Sequence, residues 1–279
     1  HFKDRYSLAT LSRGYGRSTQ GVLLGDKNAT AKTLGDEPYQ FLCKHPEVTV
    51  AVAEKRVAGI EMLLNQKLHM QAVLLDDVLQ HRWIKPQLQI LTTTFQNPYS
   101  KDYLVPVGNL RERRKGAHRA NIILVTKTPS DASRDAIESV RSSLGKAPHQ
   151  NIYFCATGYS DLVLGIKQER LMDFESDPFL LVTGIANAAP LVAFLQKKKL
   201  HFEHLEYPDH YDFPPASIKK IQAKAASKKI LTTEKDYGRL RPLLPATTSL
   251  YYLPIHLQFL NGEEEQSFLS QIEAQLQQN

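Results

Sequence analysis

The chain has 279 residues, 42% apolar and 23% charged, and its 35 Lys and Arg against 29 Asp and Glu leave a net charge of +6. These proportions exclude a disordered or collagen-like chain, and the length suffices for one large or two ordinary domains. Cys43 and Cys155 are the only cysteines, which excludes a disulfide framework or a four-cysteine zinc site and suits a reducing compartment.

Taken in chain order, Leu8–Ser12, Val48–Ala53, Ala72–Leu75, Leu88–Thr93 and Ile122–Thr126 are short apolar runs that read as buried strands. Between them, EKRVAGIEMLLN (54–65) carries Val57, Ile60, Leu63 and Leu64 at helical spacing. Strands alternating with helices predict a parallel sheet covered on both faces. Asp131–Leu144 reads as a further helix capped by Asp131 or Ser133. The pattern then changes. Gln150–Ala156 and Leu162–Ile166 are extended with little helix between them, and Phe179–Thr183 restarts the alternation. Asn187-Ala-Ala-Pro190 reads as an N-cap region with Pro early in its helix. Ile218–Ser227 is helical, Ile230–Thr233 and Ser249–Leu253 are strands, and Glu263–Gln277 is a closing helix. The expected organisation is two α/β units, 1–150 and a smaller 151–279, with hinge segments near 151–166 and 249–260.

The longest uncharged run, 178–196, is broken by Gly184, Asn187 and Pro190 into pieces far shorter than the roughly 20 residues that span a bilayer. No signal peptide is evident, so the chain is expected to be soluble or at most peripheral. Its mild positive charge fits an anionic substrate, a membrane surface or a nucleic acid without selecting one.

Six motifs could carry chemistry. In AVLLDDVLQHR an apolar strand ends in Asp76-Asp77, followed by Gln80 and His81. An aspartate at that end of a parallel strand faces the usual ligand crevice and can hold Mg²⁺ against phosphates, or it can simply cap a helix. In TLGDEP, Gly35 permits an unusual turn and Pro38 suits a helix start, so Asp36 and Glu37 are dipole-complementing acids, unless a metal or an imidazole lies near Asp36 and makes it a general base. LSRGYGR sets Arg13 and Arg17 around two glycines, which suits phosphate oxygens or an ordinary turn. LRERRKGAHR holds Arg111, Arg113, Arg114, Lys115 and Arg119 with Glu112 as its one acid. It has no interleaved aromatics to stack bases, so an anionic headgroup or phosphate is expected and a nucleic acid is not. EYPDHYDF offers Asp209-His210 as a hydrogen-bonded pair, or His210 as the orienter of a distant carboxylate, or simply as a structural or exposed histidine. In LTTEKDYGRL, Thr233 and Asp236 resemble a capping pair, and neither Lys235 nor Asp236 has a chemical role legible in the sequence.

In the order SRGYG, GDEP, DD..QHR, PVGNLRE, TGIAN, PDHYDF and TTEKD, these segments resemble the tetraacyldisaccharide 4′-kinase family of lipid A biosynthesis, from about Ala9 to about Pro254. The resemblance implies a P-loop-kinase-like parallel sheet flanked by helices, plus a second smaller α/β domain. It implies a lipid kinase that uses ATP and Mg²⁺ to phosphorylate the 4′-hydroxyl of a lipid A disaccharide precursor, at the cytoplasmic face of the inner membrane of Gram-negative bacteria. By motif, Asp76 and Asp77 are the magnesium pair, Asp36 the catalytic carboxylate and His210 its imidazole partner. Gln80 and His81 belong to the shell around metal and phosphates, and Arg56, Arg111 and Glu112 to the substrate or phosphate cradle.

Two departures bear on activity. The family usually reads DDGFQH, and Val78 and Leu79 replace its Gly and Phe, so Val78 is expected to be strained if that backbone has φ > 0. Ala188-Ala189 before Pro190 suggests a short insertion. No GxxxxGK(S/T) occurs, and the resemblance puts that loop and a membrane-associating helix upstream of His1. The chain, opening on His1, is therefore expected to be a fragment or processed product that is impaired as given. A non-catalytic member that binds an anionic glycolipid is the alternative reading.

Overall fold

The computed structural model describes residues 1–66, 70–81 and 83–278. The first sheet has β1 (Leu8–Ser12) at its centre, with β2 (Leu23–Leu24), β3 (Thr49–Val52) and β4 (Ala72–Leu75) in the order β2-β3-β1-β4. β3 and β4 run parallel to β1, and β2 runs antiparallel to β3. Short helix α1 (Ala31–Leu34), with a Thr30–Thr33 capping box, leads through Gly35 into α2 (Asp36–Lys44). α3 (Arg56–Asn65) lies close on the sheet because Gly59 has no side chain; a Cβ there would stand 2.8 Å from Leu11 Cδ1. Ala9, Leu11, Ala51, Ala53 and Leu63 form the sealed core beneath it.

The second sheet holds β5 (Ile90–Thr94), β6 (Ile122–Thr126) and β7 (Asn151–Tyr159) in parallel. α4 (Arg134–Ser143) links β6 to β7 and is capped by Ser133, whose side chain accepts from Ala136 N–H. The third sheet is built from β8 (Leu162–Gly165), β9 (Glu169–Arg170), β10 (Phe179–Thr183), β11 (Phe202–Glu206), β12 (Ile230–Thr233) and β13 (Leu250–Leu253). Its order is β11-β10-β12-β13-β8-β9, with β10 to β13 mutually parallel and β8 and β9 antiparallel additions. α5 (Ala189–Lys197), α6 (Pro215–Ala225) and α7 (Glu234–Leu240) complete this unit.

All five residues of β10 are buried, as a strand covered on both faces requires. Phe179 and Leu181 pack with Leu191 and Leu195, while Leu180 and Val182 pack with Ile218, Ile221 and Leu240. After β13 the chain returns to the second sheet. β14 (Ile255–Phe259) pairs antiparallel with β7, and α8 (Gly262–Leu276) buries Phe268 against Ile122, Leu124, Tyr153 and Cys155. The Cys155 thiol is pushed up to about 11 by burial, reinforced by Glu264. Where the two crossing segments meet, Ser160 N–H donates to Pro254 O at 3.0 Å.

Candidate active site

Because β1, β3 and β4 are parallel, their carboxyl ends share one edge, and the segments that follow them converge there. Arg56 follows β3 and is buried. Its Nη1 donates to Ala53 O at 2.7 Å and its Nη2 to Asp76 O at 3.3 Å, so it braces the backbone on which the two aspartates sit. Burial pushes its guanidinium below the ordinary value, and Asp76 and Asp77 oppose that shift. Asp76 N–H donates to Leu11 O at 3.0 Å, which fixes the start of the turn on β1.

Among the described residues no helix follows the aspartates directly, so neither caps one there. The left-handed residue of this turn is Asp77, at φ 48°, and not Val78. The expected strain at Val78 is therefore absent: aspartate is among the residues that tolerate this conformation, and Val78 keeps an ordinary backbone. His81 N–H donates to Val78 O at 2.8 Å and closes the turn, while Gln80 is exposed. Arg82 of the same motif lies outside the described residues. Arg111 Nη1 donates to Asp77 Oδ2 at 3.1 Å. Glu112 accepts from Arg119 at 2.6 Å, and Arg119 also reaches Leu79 O at 2.9 Å. Arg119, paired with Glu112, thus fastens the basic segment to the aspartate turn.

Three buried polar atoms at this edge, Ser12 Oγ, Arg56 Nε and His81 Nδ1, have no hydrogen-bond partner among the described residues. Such atoms are rare in native interiors and mark a place built for something else. Among the described residues no group of three or more His, Cys, Asp or Glu side chains could hold a metal by itself. Two exposed carboxylates suit Mg²⁺ nonetheless, because that ion keeps several waters and takes one or two carboxylates plus substrate phosphates. Asp76 and Asp77 fit the ion in that mode.

The SRGYG and GDEP motifs pack backbone on backbone. Gly35 has φ +94°, and a Cβ on it would lie 3.0 Å from Tyr15 O and 3.2 Å from Gly14 Cα. Arg17 is buried in an ion pair with Glu54, which also accepts from Gly21 N–H at 3.0 Å. That leaves Arg13 as the exposed arginine at the end of β1. Asp36, the first residue of α2, is consequently set by the same glycine turn that ends β1.

His210, at φ 58°, follows β11 and places Nδ1 3.4 Å from Asp36 Oδ2. Arg239 of α7 forks onto the same carboxylate, with Nε 3.3 Å from Oδ1 and Nη2 on Oδ2; Nη2 is also 2.9 Å from His210 Nδ1. Lys235 Nζ lies 2.9 Å from His210 Nε2 and 2.9 Å from Asp209 Oδ1. Lys235 holds the Asp209 carboxyl below its ordinary value. Ammonium and guanidinium groups only donate, so a neutral imidazole cannot serve both through its two nitrogens. With Nδ1–H aimed at Asp36, Nε2 accepts from Lys235 and the Arg239 fork is satisfied on the carboxylate; this tautomer is assigned from its partners.

Asp236 is buried, and its Oδ2 accepts from Gly184 N–H at 2.8 Å and from Thr233 Oγ1 at 2.7 Å. Thr233 caps α7 in return, as the sequence suggested. Asp236 therefore ties TTEKD to the TGIAN segment and fixes the helix that carries Lys235 and Arg239. These two residues were not legible as site residues, although their spacing of four puts them on one helix face. A cavity of about 160 Å³ opens between α2 and α7, lined by Asp36, Tyr39, Cys43, Arg239, Pro242 and Tyr252. Among the described residues no hydrogen bond or ion pair joins Asp36 or His210 directly to Asp76, Asp77, Arg56 or Arg111; the β1 turn is what connects the two groups.

The family described as tetraacyldisaccharide-1-P 4′-kinase matches residues 1–277. The chain belongs to this family. The tetraacyldisaccharide 4′-kinase of Flavobacterium johnsoniae is 42% identical over 263 residues, covering 94% of this chain and 76% of that protein. That of Bacteroides thetaiotaomicron is 37% identical, with 94% and 75% covered, and that of Cytophaga hutchinsonii 35% identical, with 99% and 79% covered. Among solved structures, the apo form of LpxK from Aquifex aeolicus in complex with ATP shares the fold, with a TM-score of 0.73 at 22% identity over 96% of this chain and 80% of that one. The tetraacyldisaccharide 4′-kinase resemblance and the α/β fold read from the motifs are both borne out.

Proposed function

We propose that Asp36, oriented by His210, receives the proton of the acceptor hydroxyl and that Asp76 and Asp77 hold magnesium, in an ATP-dependent kinase of the lipid A precursor. As a member of its family the chain transfers the γ-phosphoryl group of ATP to the 4′-hydroxyl of a tetraacyldisaccharide 1-phosphate. The observation that carries the residue assignment is the contact of His210 Nδ1 with Asp36, locked by Arg239.

Phosphoryl transfer needs positioning and charge neutralisation more than covalent chemistry. Asp76 and Asp77 would hold magnesium, which would supply positive charge to neutralise the phosphates. Arg56 holds the backbone of the aspartate turn and Arg111 steers Asp77. Asp36 presents a carboxylate to the hydroxyl, His210 orients it through Nδ1–H, and Lys235 fixes the other imidazole nitrogen. Arg13 and the unpartnered Ser12 Oγ and His81 Nδ1 are the groups left to meet phosphate oxygens. No observation favours a non-catalytic glycolipid binder.

Two further readings belong to the same proposal. The chain divides into two units near 160 and 254, and α2 and α7 face each other across a cleft that closes on substrate and excludes water. The enzyme works at the cytoplasmic face of the inner membrane, a reading supported by its acylated substrate; among the described residues no helix is long and apolar enough to cross a membrane. The test is transfer of γ-labelled phosphate from ATP to the tetraacyldisaccharide 1-phosphate by the full-length protein. Loss of transfer in Asp36→Ala with ATP binding intact is expected, and an Asp36→Ala enzyme equal to wild type would refute the assignment.

A further inference from the structure

Between β5 and β6 a loop holds apolar side chains out into solvent. Tyr103, Leu104, Val105 and Val107 are 63%, 42%, 62% and 82% exposed, and Pro106 among them is exposed as well. Single exposed apolar residues are ordinary, but an unbroken run of them marks an interaction site.

The loop is firmly built. Leu110 N–H donates to Tyr103 O at 2.9 Å and Val105 N–H to Leu110 O at 3.0 Å, which closes the neck. Val107 and Gly108 N–H both donate to Leu104 O, at 3.0 and 3.1 Å. Asp102 staples the base by accepting from Tyr103 N–H at 2.7 Å and from Asn109 N–H at 3.2 Å, and these bonds hold its carboxyl below the ordinary value. A Cβ on Gly108 would stand 2.3 Å from Asp102 Oδ1. A frame this tight exposes its apolar side chains by construction and not by fraying.

The rim is basic. Lys101, Arg111, Arg113, Arg114 and Lys115 are exposed, and Arg114 stacks 5.2 Å over the Tyr103 ring while donating to Asp102 O at 2.9 Å. The two acids of the stretch are occupied, Asp102 in the neck and Glu112 with Arg119. An aliphatic tip with a cationic rim combines the two signals that bind a protein to the surface of an anionic bilayer. Nucleic acid fits poorly, since Leu104, Val105, Pro106 and Val107 offer no aromatic face to a base. Arg111 follows the neck residue Leu110 directly and reaches Asp77, so the loop joins this surface to the candidate site.

We propose that the 103–110 loop and its basic flank dock the protein on an anionic lipid bilayer and so bring the site to its membrane-borne substrate. This rests on the lipid-kinase reading for its purpose, and its test separates the two. Full-length wild type, Val105→Asp/Val107→Asp and Arg113→Glu/Lys115→Glu are co-sedimented with phosphatidylcholine vesicles with and without phosphatidylglycerol. Each double variant is expected to lose about tenfold or more of its partition onto the anionic vesicles. In a Cys43→Ser background, Val107→Cys carrying a polarity-sensitive dye is expected to shift to the blue on those vesicles. Both double variants should phosphorylate detergent-dispersed substrate at the wild-type rate, which also shows that they are folded. An unshifted dye, or vesicle binding lost only with the charge variant, would overturn the docking surface while leaving the kinase reading intact. A wild type inactive on dispersed substrate would instead count against the kinase reading, with the vesicle result standing on its own.

Discussion

Arg239 and Asp36, 203 positions apart in the chain, form a forked ion pair across the cleft between α7 and α2. Lys44 and Glu234 make a second bridge between the same helices at 3.0 Å. The carboxylate proposed as proton acceptor is thus aimed by a residue of α7, the helix that follows β12 of the third sheet. Arg239→Ala is expected to lower kcat by about 10- to 100-fold with little change in the KM for ATP, because it leaves the nucleotide groups in place and frees the carboxylate to turn. Arg239→Lys should recover only part of this loss, since an ammonium cannot fork onto both oxygens. Steady-state kinetics on the two variants check both statements.

The aspartate turn makes a prediction about backbone. Asp77 carries the left-handed conformation, so Asp77→Gly should stay within about 0.5 kcal/mol of wild type in stability while losing activity. Asp77→Val should destabilise by about 1–2 kcal/mol, as a β-branched residue does in that region. Val78→Gly, which restores the residue usual in the family, should not stabilise and should cost about 0.5–1 kcal/mol in unfolded-chain entropy. Denaturant unfolding measures all three.

Gly35 is the residue on which the β1 turn and Asp36 meet. With φ +94° and Gly14 and Tyr15 pressed against it, Gly35→Ala is expected to destabilise by about 1–3 kcal/mol and to displace Asp36. Stability from unfolding and kcat at saturating substrates should therefore fall together, unlike in Arg239→Ala.

Glu169 supplies a pH dependence remote from the site. Desolvation would raise its carboxyl, but hydrogen bonds from Lys229, Tyr251 and Lys167 outweigh it and hold it at about 2 against an ordinary 4.5. Lys229 also sits 4.5 Å over the Phe174 ring, so the pair seals the edge of the third sheet. A depressed carboxyl contributes stability that is fully present above its unfolded value and is lost as pH falls through the folded one. Glu169→Gln should be less stable than wild type at neutral pH, by about 1–2 kcal/mol, and the gap should close as pH falls from 4.5 towards 2. A gap unchanged over that interval in denaturant unfolding would contradict the reading.

What the sequence disclosed followed from how regular each element is. β1, β4, β6, β10 and β12 are short runs of apolar residues and threonine, closed by serine in β1, and lie where the pattern put them. β11 (FEHLE), an edge strand, carries two glutamates and a histidine and shows no apolar run, while the alternating but largely exposed β14 (IHLQF) reads only as part of an extended hinge segment. The return of β14 and α8 to the sheet of β7 is a long-range pairing that no local pattern encodes. Asp36, His210, Asp76 and Asp77 are candidates through motif order alone. Arg239 and Lys235 carry no such signal, because the α7 sequence reads as a capped helix and a cation on a helix face is usually solvated. Arg56 was expected in a phosphate cradle, yet its side chain turns inward to hold Ala53 and Asp76 carbonyls, a direction only the packed structure reveals.

The most direct test of the central claim is the single-turnover rate of phosphoryl transfer from ATP to the lipid disaccharide by full-length Asp36→Asn, measured beside ATP affinity. A fall of about 10²- to 10⁴-fold with ATP affinity unchanged is the predicted result for loss of the proton acceptor. A rate within twofold of wild type would show that Asp36 does not take the hydroxyl proton and would contradict the account.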